Sequence, residues 1–508
     1  LDTQNKIDWP VMAISGGLLL VFVITSVINA TLVGDIVNAS FQFSTDYFGA
    51  FWQVLMLLTF LIALFIAFSK NGKVKLGNLD KPELSTFKWI SIIMCTLLAG
   101  GGVFWAAAEP MYHFLTTPPM YDDVSAGTSE AVVPALTQSF LDWGFLAWAI
   151  LGTLSAIVLM YGHFNKGMPL KPRTLLYPIF GEKIMQKSVF GTMVDAFSII
   201  AVAAGTIGPI GFLGLQAAYG MDVLFGVPNT FLTQLIIIFG LIAIASISAV
   251  TGVHRGIQIL SRFNIIFTFI LIVLVLLLGP GAFIFDSFIG SFGLYMRDFF
   301  VNSLYRGDGE WLSFWTIFFW GWFIGYGPMM AIFISRISRG RTIRELVTAV
   351  AIIAPIVTNF WFSVVGGSGI FYELKNAGSV SDPLNEGGMP AAMIAIVEQI
   401  PFGTALAAAF LLVTVVFVAT TSDSMSYTIS MAVTGGGNPS SVLRVFWAVI
   451  MGAVAAVLLF IGEGSIEALQ SFIVFTAVPV SLILLPMLWL APRVAGAMAR
   501  DQGFSPNR

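Results

Sequence analysis

The sequence predicts an all-α integral membrane protein with twelve transmembrane helices. Three observations carry that prediction. Of 508 residues, 57% are hydrophobic and only 10% are charged, a balance foreign to soluble globules of this size. The apolar residues fall into runs near the length a helix needs to cross a membrane, about 20 residues for a hydrocarbon core of about 30 Å. The basic residues gather between alternate runs, as they do in a chain threaded back and forth through a bilayer.

The twelve runs cover roughly 10–30, 50–68, 87–112, 137–161, 192–219, 230–250, 263–285, 311–335, 346–370, 402–423, 441–462 and 468–491. The first is too long for a signal h-region and lacks a small-residue cleavage pattern, so it reads as a retained span. No soluble domain fits between the runs; the longest gaps hold short amphipathic pieces at 252–263, 288–305 and 388–399. Loops 69–88, 162–188, 252–262, 336–344 and 424–444, with both tails, carry 21 of the 24 Lys and Arg. The opposite side holds only Arg297, Arg306 and Lys375. The positive-inside rule then places both termini in the cytoplasm. The outer loops carry Asp35, Asp46, Asp122, Asp123, Glu130, Asp286, Asp308, Glu310, Asp382 and Glu386, which read as solvated acids. The tails, 1–9 and 492–508, are short, and no extended basic regulatory tail is expected in them.

A net charge of −3 points to no nucleic-acid partner. The single cysteine, Cys95, lies in an apolar run and permits neither a disulfide nor a multi-cysteine metal site. His113, His163 and His254 fall at span ends and read as wet, structural histidines. Absence of a His pair, a nucleophile triad or a phosphate-cradling glycine loop argues against an enzyme.

Internal symmetry adds detail. The third run contains Ala99, Gly100, Gly101 and Gly102, then Phe104, Trp105, Glu109 and Pro110. The eighth contains Gly325, Tyr326, Gly327 and Pro328 after its own aromatics. Pro328 lacks a backbone N–H and glycines flank the tyrosine, so the helix is expected to weaken there. The two places are five spans apart, and an odd offset inverts one unit relative to the other. Interrupted helices at matching places in inverted halves point to a transporter's mid-membrane site. The expected organisation is a tail with two leading spans over 1–86, a five-span repeat over 87–285 and an extracytoplasmic amphipathic helix over 286–310. A second five-span repeat over 311–491 and a cytoplasmic tail over 492–508 complete it. Isolated membrane glycines usually serve close helix packing; three in a row favour unwinding or backbone approach to a ligand.

Two constellations suggest a ligand. The first is aromatic: Trp320, Trp322, Phe323 and Tyr326 in the eighth run, Trp143 and Trp148 in the fourth, Phe104 and Trp105 in the third. Trp322 and Tyr326, four residues apart, share a helix face. Such faces attract an organic cation by about 0.5–2 kcal/mol each, and a quaternary ammonium group brings no N–H to satisfy. Trp9, Trp311, Trp315 and Trp489 suit an interfacial belt instead. The second is hydroxylic: Thr420, Thr421 and Ser422 beside Asp423, with no base expected nearby. Hard cations such as Na+ take oxygen ligands, although hydroxyls here can equally cap backbone. Residues 188–253 contain no Lys, Arg or His, so no fixed positive charge replaces a mobile coupling ion in that stretch. Arg336, Arg339, Arg341 and Arg344 at the exit of the eighth run read as a cytoplasmic anchor or a subunit contact.

The chain resembles the betaine/choline/carnitine transporter family. The resemblance rests on 322–346, with its ending Ser-Arg-Ile-Ser-Arg-Gly-Arg-Thr-Ile-Arg-Glu, and on shorter matches along nearly the whole chain. These include Leu76-Gly77, Lys81-Pro82-Glu83, Glu109-Pro110, Trp143-Gly144 with Trp148, Leu176-Tyr177-Pro178, 256–261 and 420–424. The resemblance implies a LeuT-like inverted repeat of five plus five spans with two leading helices. It also implies a bacterial inner membrane location and commonly a homotrimer. It places Trp143, Trp148 and Trp322 in the substrate pathway, with Phe323 and Tyr326 at positions that are Trp in many betaine carriers. Leu151 stands where the family has a cage Tyr, and Asp142 replaces the family's usual His before Trp143. Phe104 and Trp105 would help gate the route, and backbone donors of Gly100, Gly101 and Gly102 would face a carboxylate. It implies Na+ ligands in Thr420, Thr421 and the carbonyls of Phe417, Cys95 and Leu98, and Thr206 in a second site. The Ala-Gly stretch lacks the Asp of some choline carriers, which favours a net-neutral substrate. The expectation is a transporter importing a betaine-like zwitterion, glycine betaine or dimethylsulfoniopropionate, with Na+ as coupling ion and no cofactor. A Na+-independent carnitine/betaine-type exchanger, a proton-coupled choline carrier, and a channel or osmosensing protein are the rival readings.

Overall fold

A computed structural model of the chain describes residues 6–97, 101–251, 254–435 and 439–504. Helix α1 (Trp9–Ile28) starts where the Asp8 carboxylate accepts the Val11 N–H, and α2 (Ala30–Phe68) where the Asn29 side chain accepts that of Leu32. These side chains satisfy amide donors that a helix start leaves unpaired. At about 1.5 Å per residue α2 outruns the bilayer core, and its early turns carry the exposed Asp35 and Asp46. The expected third span comprises α3 (Thr86–Leu97) and α4 (Val103–Leu115), on either side of the glycine stretch. The fourth comprises α5 (Val132–Trp143), α6 (Phe145–Gly152) and α7 (Leu154–Met160). Then come α8 (Val189–Phe225), α9 (Phe231–Thr251), α10 (His254–Leu278) and α11 (Gly281–Arg297). Short α12 (Phe299–Ser303) and α13 (Gly309–Phe314) lead into α14 (Thr316–Ile337), α15 (Ile343–Thr348) and α16 (Ala354–Lys375). After α17 (Ser381–Gly387) and α18 (Ala392–Glu398), the chain ends in α19 (Gly403–Thr434), α20 (Ser441–Ile461), α21 (Glu467–Leu484) and α22 (Met487–Asp501).

Among the described residues, ten helical segments are long and apolar enough to cross a membrane, and eleven if the bent pair around Pro280 is one span. The chain is therefore a multi-pass membrane protein. The seventh span ends at Leu278, and the helix after it starts at Gly281, turned by 103°. All ten acids expected in the outer loops are exposed.

The eighth span corrects the expectation at 325–328. Helix α14 runs unbroken through Pro328, and the turn that does break is at Trp315 (φ −106°, ψ −85°). Tertiary packing overrides the local weakness, as buried membrane helices allow. A methyl group on Gly327 would come within 2.7 Å of Leu484 and one on Gly325 within 3.5 Å of Ala201. These glycines thus admit α21 and α8 close to α14. The interruption instead falls in the fourth span, at Gly144 (ψ −130°) and Thr153 (ψ −86°). Tyr295 of α11 occupies the first break, its hydroxyl oxygen accepting the Phe145 N–H at 3.1 Å. A Cβ on Gly144 would lie 2.6 Å from that hydroxyl.

The basic loops meet at one end of the bundle. Segments 74–76 and 340–343 pair as backbone: Leu76 N–H donates to Arg341, Gly340 N–H to Leu76 and Ile343 N–H to Val74. Asn78 donates to the Phe164 carbonyl, Lys75 N–H to Gln502, and Asp8 N–H to the Val433 carbonyl. Arg341 is buried: it donates to Leu84, Thr86 and Glu345 and lies 4.4 Å over the Trp89 ring. Arg344 donates to the carbonyls of Ala67 and Ser69, which end α2 and carry the negative pole of its dipole. At the opposite end Gln53 bridges the carbonyls of Ser303 and Tyr305, and Tyr121 donates to Asp298. There the Arg297 guanidinium holds the Asp298 carboxyl below its ordinary range, while burial pushes the Tyr121 phenol up.

Three helix pairings come in matched sets. Helix α4 packs on α16 and α14 on α6; α8 packs on α20 and α9 on α19; α8 packs on α21 and α10 on α19.

Candidate functional site

The aromatic residues of the third, fourth and eighth spans turn inwards and meet. Trp143 ends α5 at the Gly144 break, so its indole projects from a helix terminus into the bundle. It meets Trp322 edge-on at 5.8 Å, Phe323 at 5.1 Å, Phe319 at 5.3 Å and Phe362 at 5.1 Å between centroids. Trp322 stacks on Phe323 at 5.6 Å. All are buried. The walls of the cluster are glycines: a Cβ on Gly101 would lie 2.2 Å from Trp322 and 3.2 Å from Trp143. One on Gly205 would lie 2.3 Å from Tyr326 and 3.2 Å from the Trp322 Nε1. Two indoles therefore rest against bare backbone of the third span, which no other residue type would permit.

Hydrogen bonds fix the rings. Trp322 Nε1 donates to the Gly205 carbonyl at 3.1 Å, and the Tyr326 hydroxyl lies 3.0 Å from Thr206 Oγ1. Trp361 donates to the Gly102 carbonyl at 3.0 Å. Trp148 is buried one turn beyond the break, and its Nε1 is held by Thr358 at 2.9 Å, in none of the ring contacts around Trp143. The Trp143 Nε1 is buried on the Glu109 side of the cluster. Towards the start of α14 the cluster continues as a column. Trp105 meets Phe319 at 4.8 Å, Phe212 at 5.5 Å and Trp315 at 6.1 Å, while Phe104 stacks on Phe212 at 5.3 Å. Trp320, by contrast, is buried outside these contacts.

Several expectations change here. Trp315 does not sit in an interfacial belt; it is buried in the column, 4.6 Å from the His113 ring. His113 is not wet: it is 1% exposed and lies 3.3 Å from Glu109, because the turn of α4 that carries both faces α5. Trp9 is largely exposed, and Trp489 at 48%, as a belt requires. Gly205, Phe212, Phe319, Trp361 and Phe362 join the cluster without having been singled out. The signal was available for the two glycines of 205–208, which mark a helix face needing close approach; nothing in spacing alone predicted Trp361.

The hydroxyl group of residues is only partly assembled. Leu98 and Gly100 lie outside the described residues. Cys95 is half-buried on α3. Helix α19 is continuous, and Thr420 Oγ1 donates to the Val416 carbonyl at 2.9 Å and lies 3.2 Å from the Phe417 carbonyl. A hydroxyl that donates along its own helix keeps its lone pairs for a cation. Thr421 is half-buried beside it. Thr206 likewise donates to Val202 at 2.9 Å. Asp423 does have a base nearby: Arg444 of α20 donates to it at 3.1 Å in a buried pair, brought there by the turn between α19 and α20.

A bundle of apolar helices enclosing inward-facing aromatic and hydroxyl side chains has the build of a membrane transporter. The chain belongs to the betaine/carnitine/choline family of transporters, whose sequence model matches residues 10–500. It is 56% identical over 504 residues to glycine betaine transporter 2 of Vibrio parahaemolyticus, covering 99% of this chain and 92% of that protein. It is 32% identical over 491 residues to an ectoine/hydroxyectoine transporter of Virgibacillus pantothenticus, covering 96% of both. It is also 32% identical over 491 residues to the glycine betaine transporter OpuD of Bacillus subtilis, covering 95% of this chain and 93% of that one. It is a transporter and not an enzyme.

Proposed function

We propose that the protein imports a betaine-like zwitterion, glycine betaine or dimethylsulfoniopropionate, together with Na+. The observation that carries this reading is the buried meeting of Trp143, Trp322 and Phe323 against the bare backbone of Gly101. Rings around a site with no fixed positive charge among the described residues suit an onium head that has no N–H to satisfy. Backbone groups of the third-span glycines suit its carboxylate. The names of relatives at 56% and 32% identity support the same substrate class. Trp148, Tyr326, Phe104 and Trp105 would shape and gate the route, and Trp361 would hold the Gly102 carbonyl in place.

For the coupling ion, Thr420, Thr421 and the carbonyls of Phe417, Cys95 and Leu98 would supply the oxygen ligands a hard cation prefers, with Thr206 in reserve beside Tyr326. The twelve-span count is reached by taking the bent α10–α11 pair as one span and α3 with α4 as another. Matched helix pairs support an inverted five-plus-five repeat: α4–α16 maps onto α14–α6, α8–α20 onto α19–α9, and α8–α21 onto α19–α10 when spans are shifted by five. The clustering of basic loops at one end supports both termini in the cytoplasm of a bacterial inner membrane. A homotrimer belongs to the same proposal.

The test is uptake of labelled glycine betaine into proteoliposomes with and without a Na+ gradient, with dimethylsulfoniopropionate as competitor. Saturable, Na+-dependent, competed uptake is expected, and Thr421→Ala should raise the Na+ concentration for half-maximal rate. Full uptake without Na+ would replace the symporter with an exchanger.

A further inference from the structure

Between the aromatic column and α5 lies a cluster that substrate recognition does not use. Glu109 and His113 of α4 and Asp142 of α5 are all buried, with one ligand atom from each within 4.8 Å of the others. His113 Nε2 is 3.3 Å from Glu109 Oε1 and 4.0 Å from Asp142 Oδ2. Glu109 Oε2 and Asp142 Oδ2 face each other in the buried cluster with Ser139 Oγ beside them, and among the described residues Gln138 Oε1 is buried without a hydrogen-bond donor. Gln138 Nε2 donates to Asp142 Oδ1 and to Thr316 Oγ1, both at 3.1 Å, which fixes the amide and leaves its oxygen unpaired. Among the described residues, the ion pairs of these two carboxylates are with His113 alone.

Two carboxylates buried together are neutralised either by bound protons or by a cation beside them, and an imidazole nitrogen within reach of both makes a cation site of the pair. We infer that Glu109, His113 and Asp142 form a binding site for a divalent transition-metal ion of the Zn2+ type, with Gln138 Oε1 as the fourth donor. One imidazole nitrogen and carboxylate oxygens form a donor set Zn2+ accepts, at about 2.0–2.2 Å per ligand. Tetrahedral ligands at that distance are about 3.3–3.6 Å apart; the His113 separations of 3.3 Å and 4.0 Å are close to this, and the carboxylate oxygens, within 4.8 Å of each other, must draw in to meet it. A doubly charged ion also neutralises the two carboxylates, whereas a monovalent one leaves a buried charge. The outer orienting bonds that such sites use are present in the Gln138–Thr316 pair. The site joins α4, α5 and the first turn of α14 beside Trp315, so metal there would pin these three elements and slow transport.

The test uses the purified full-length protein stripped with chelator and titrated with Zn2+ in a calorimeter. One site per chain is expected, weakened in His113→Asn and in Asp142→Asn by more than the about 10–100-fold that loss of an outer-shell partner costs. Micromolar Zn2+ should inhibit betaine uptake by the wild type and spare whichever of these variants remains active. Co2+-loaded wild type supplies a readout independent of any variant: an intense tetrahedral visible spectrum and one imidazole in the first shell by X-ray absorption. Stoichiometric binding that folded variants retain in full overturns the inference. So does the absence of both Zn2+ binding and a tetrahedral Co2+ spectrum, which would leave protons as the cluster's counter-charge. Either failure leaves the betaine reading untouched, since that is measured by uptake in metal-free buffer.

Discussion

Gly205→Ala separates helix propensity from site geometry. The residue lies within α8, where alanine is favoured over glycine by about 1 kcal/mol. Local reasoning therefore predicts a more stable helix. The structure predicts a damaged site. The added methyl would lie 2.3 Å from Tyr326 Cε2, 2.6 Å from its Cδ2 and 3.2 Å from Trp322 Nε1. None is the far end of a flexible chain; both are rings, and both are tied by hydrogen bonds to α8. To make room, Tyr326 must swing off Thr206, and Trp322 must loosen its bond to the very carbonyl that the substituted residue carries. Overpacking costs about 1–3 kcal/mol, and losing the Trp322 bond adds about 1 kcal/mol. Set against the propensity gain, the net loss of stability is about 1–3 kcal/mol. Displacing a ring of the proposed substrate pathway should raise KM for glycine betaine about tenfold, the loss of one cation–π face. The assays are uptake kinetics in proteoliposomes and thermal unfolding in detergent. An unchanged KM with raised Tm would refute the placement of Trp322 and Tyr326 in the substrate route.

Trp322→Ala should weaken substrate binding by about 1–2 kcal/mol, read by equilibrium binding to the folded variant; unaltered affinity removes this ring from the site. Arg341→Lys should lower thermal stability by about 1–3 kcal/mol, because an ammonium cannot reach Leu84, Thr86 and Glu345 together while covering Trp89; a melting curve that superimposes on the wild type contradicts this. Asp298 makes stability dependent on acid. Its folded pKa is depressed, first by the bonds from Arg297, so its contribution is complete above the ordinary Asp pKa and is lost as pH falls through the lower folded value. Asp298→Asn should therefore flatten the Tm decline below about pH 4, and an identical acid limb in the variant would exclude this role.

Much of the molecule was legible from pattern alone, because lipid leaves few choices. A chain in hydrocarbon must close its own backbone hydrogen bonds, so runs of about 20 apolar residues become helices. Charge asymmetry then assigned the loops to two ends, and the backbone pairing of 74–76 with 340–343 brings two of the basic loops together as that asymmetry requires. Residue chemistry also marked Trp143, Trp322 and Phe323, since aromatic side chains at mid-span have no interfacial duty.

Tertiary contacts decided the rest. Glycine and proline in 325–328 read as a break, yet α14 passes through them because α8 and α21 fill the space the missing side chains leave. The true break at Gly144 depends on Tyr295 arriving from 150 residues away to accept the freed N–H. Trp315 and His113 sit near span ends, where sequence suggests water, but the neighbouring helices bury both. Arg444 finds Asp423, and Trp361 finds Gly102, across turns that no local spacing encodes. Sequence determines what each helix can bury; which partner it buries it against depends on how all the helices pack at once, and that is where the aromatic site and the Glu109–His113–Asp142 cluster arise.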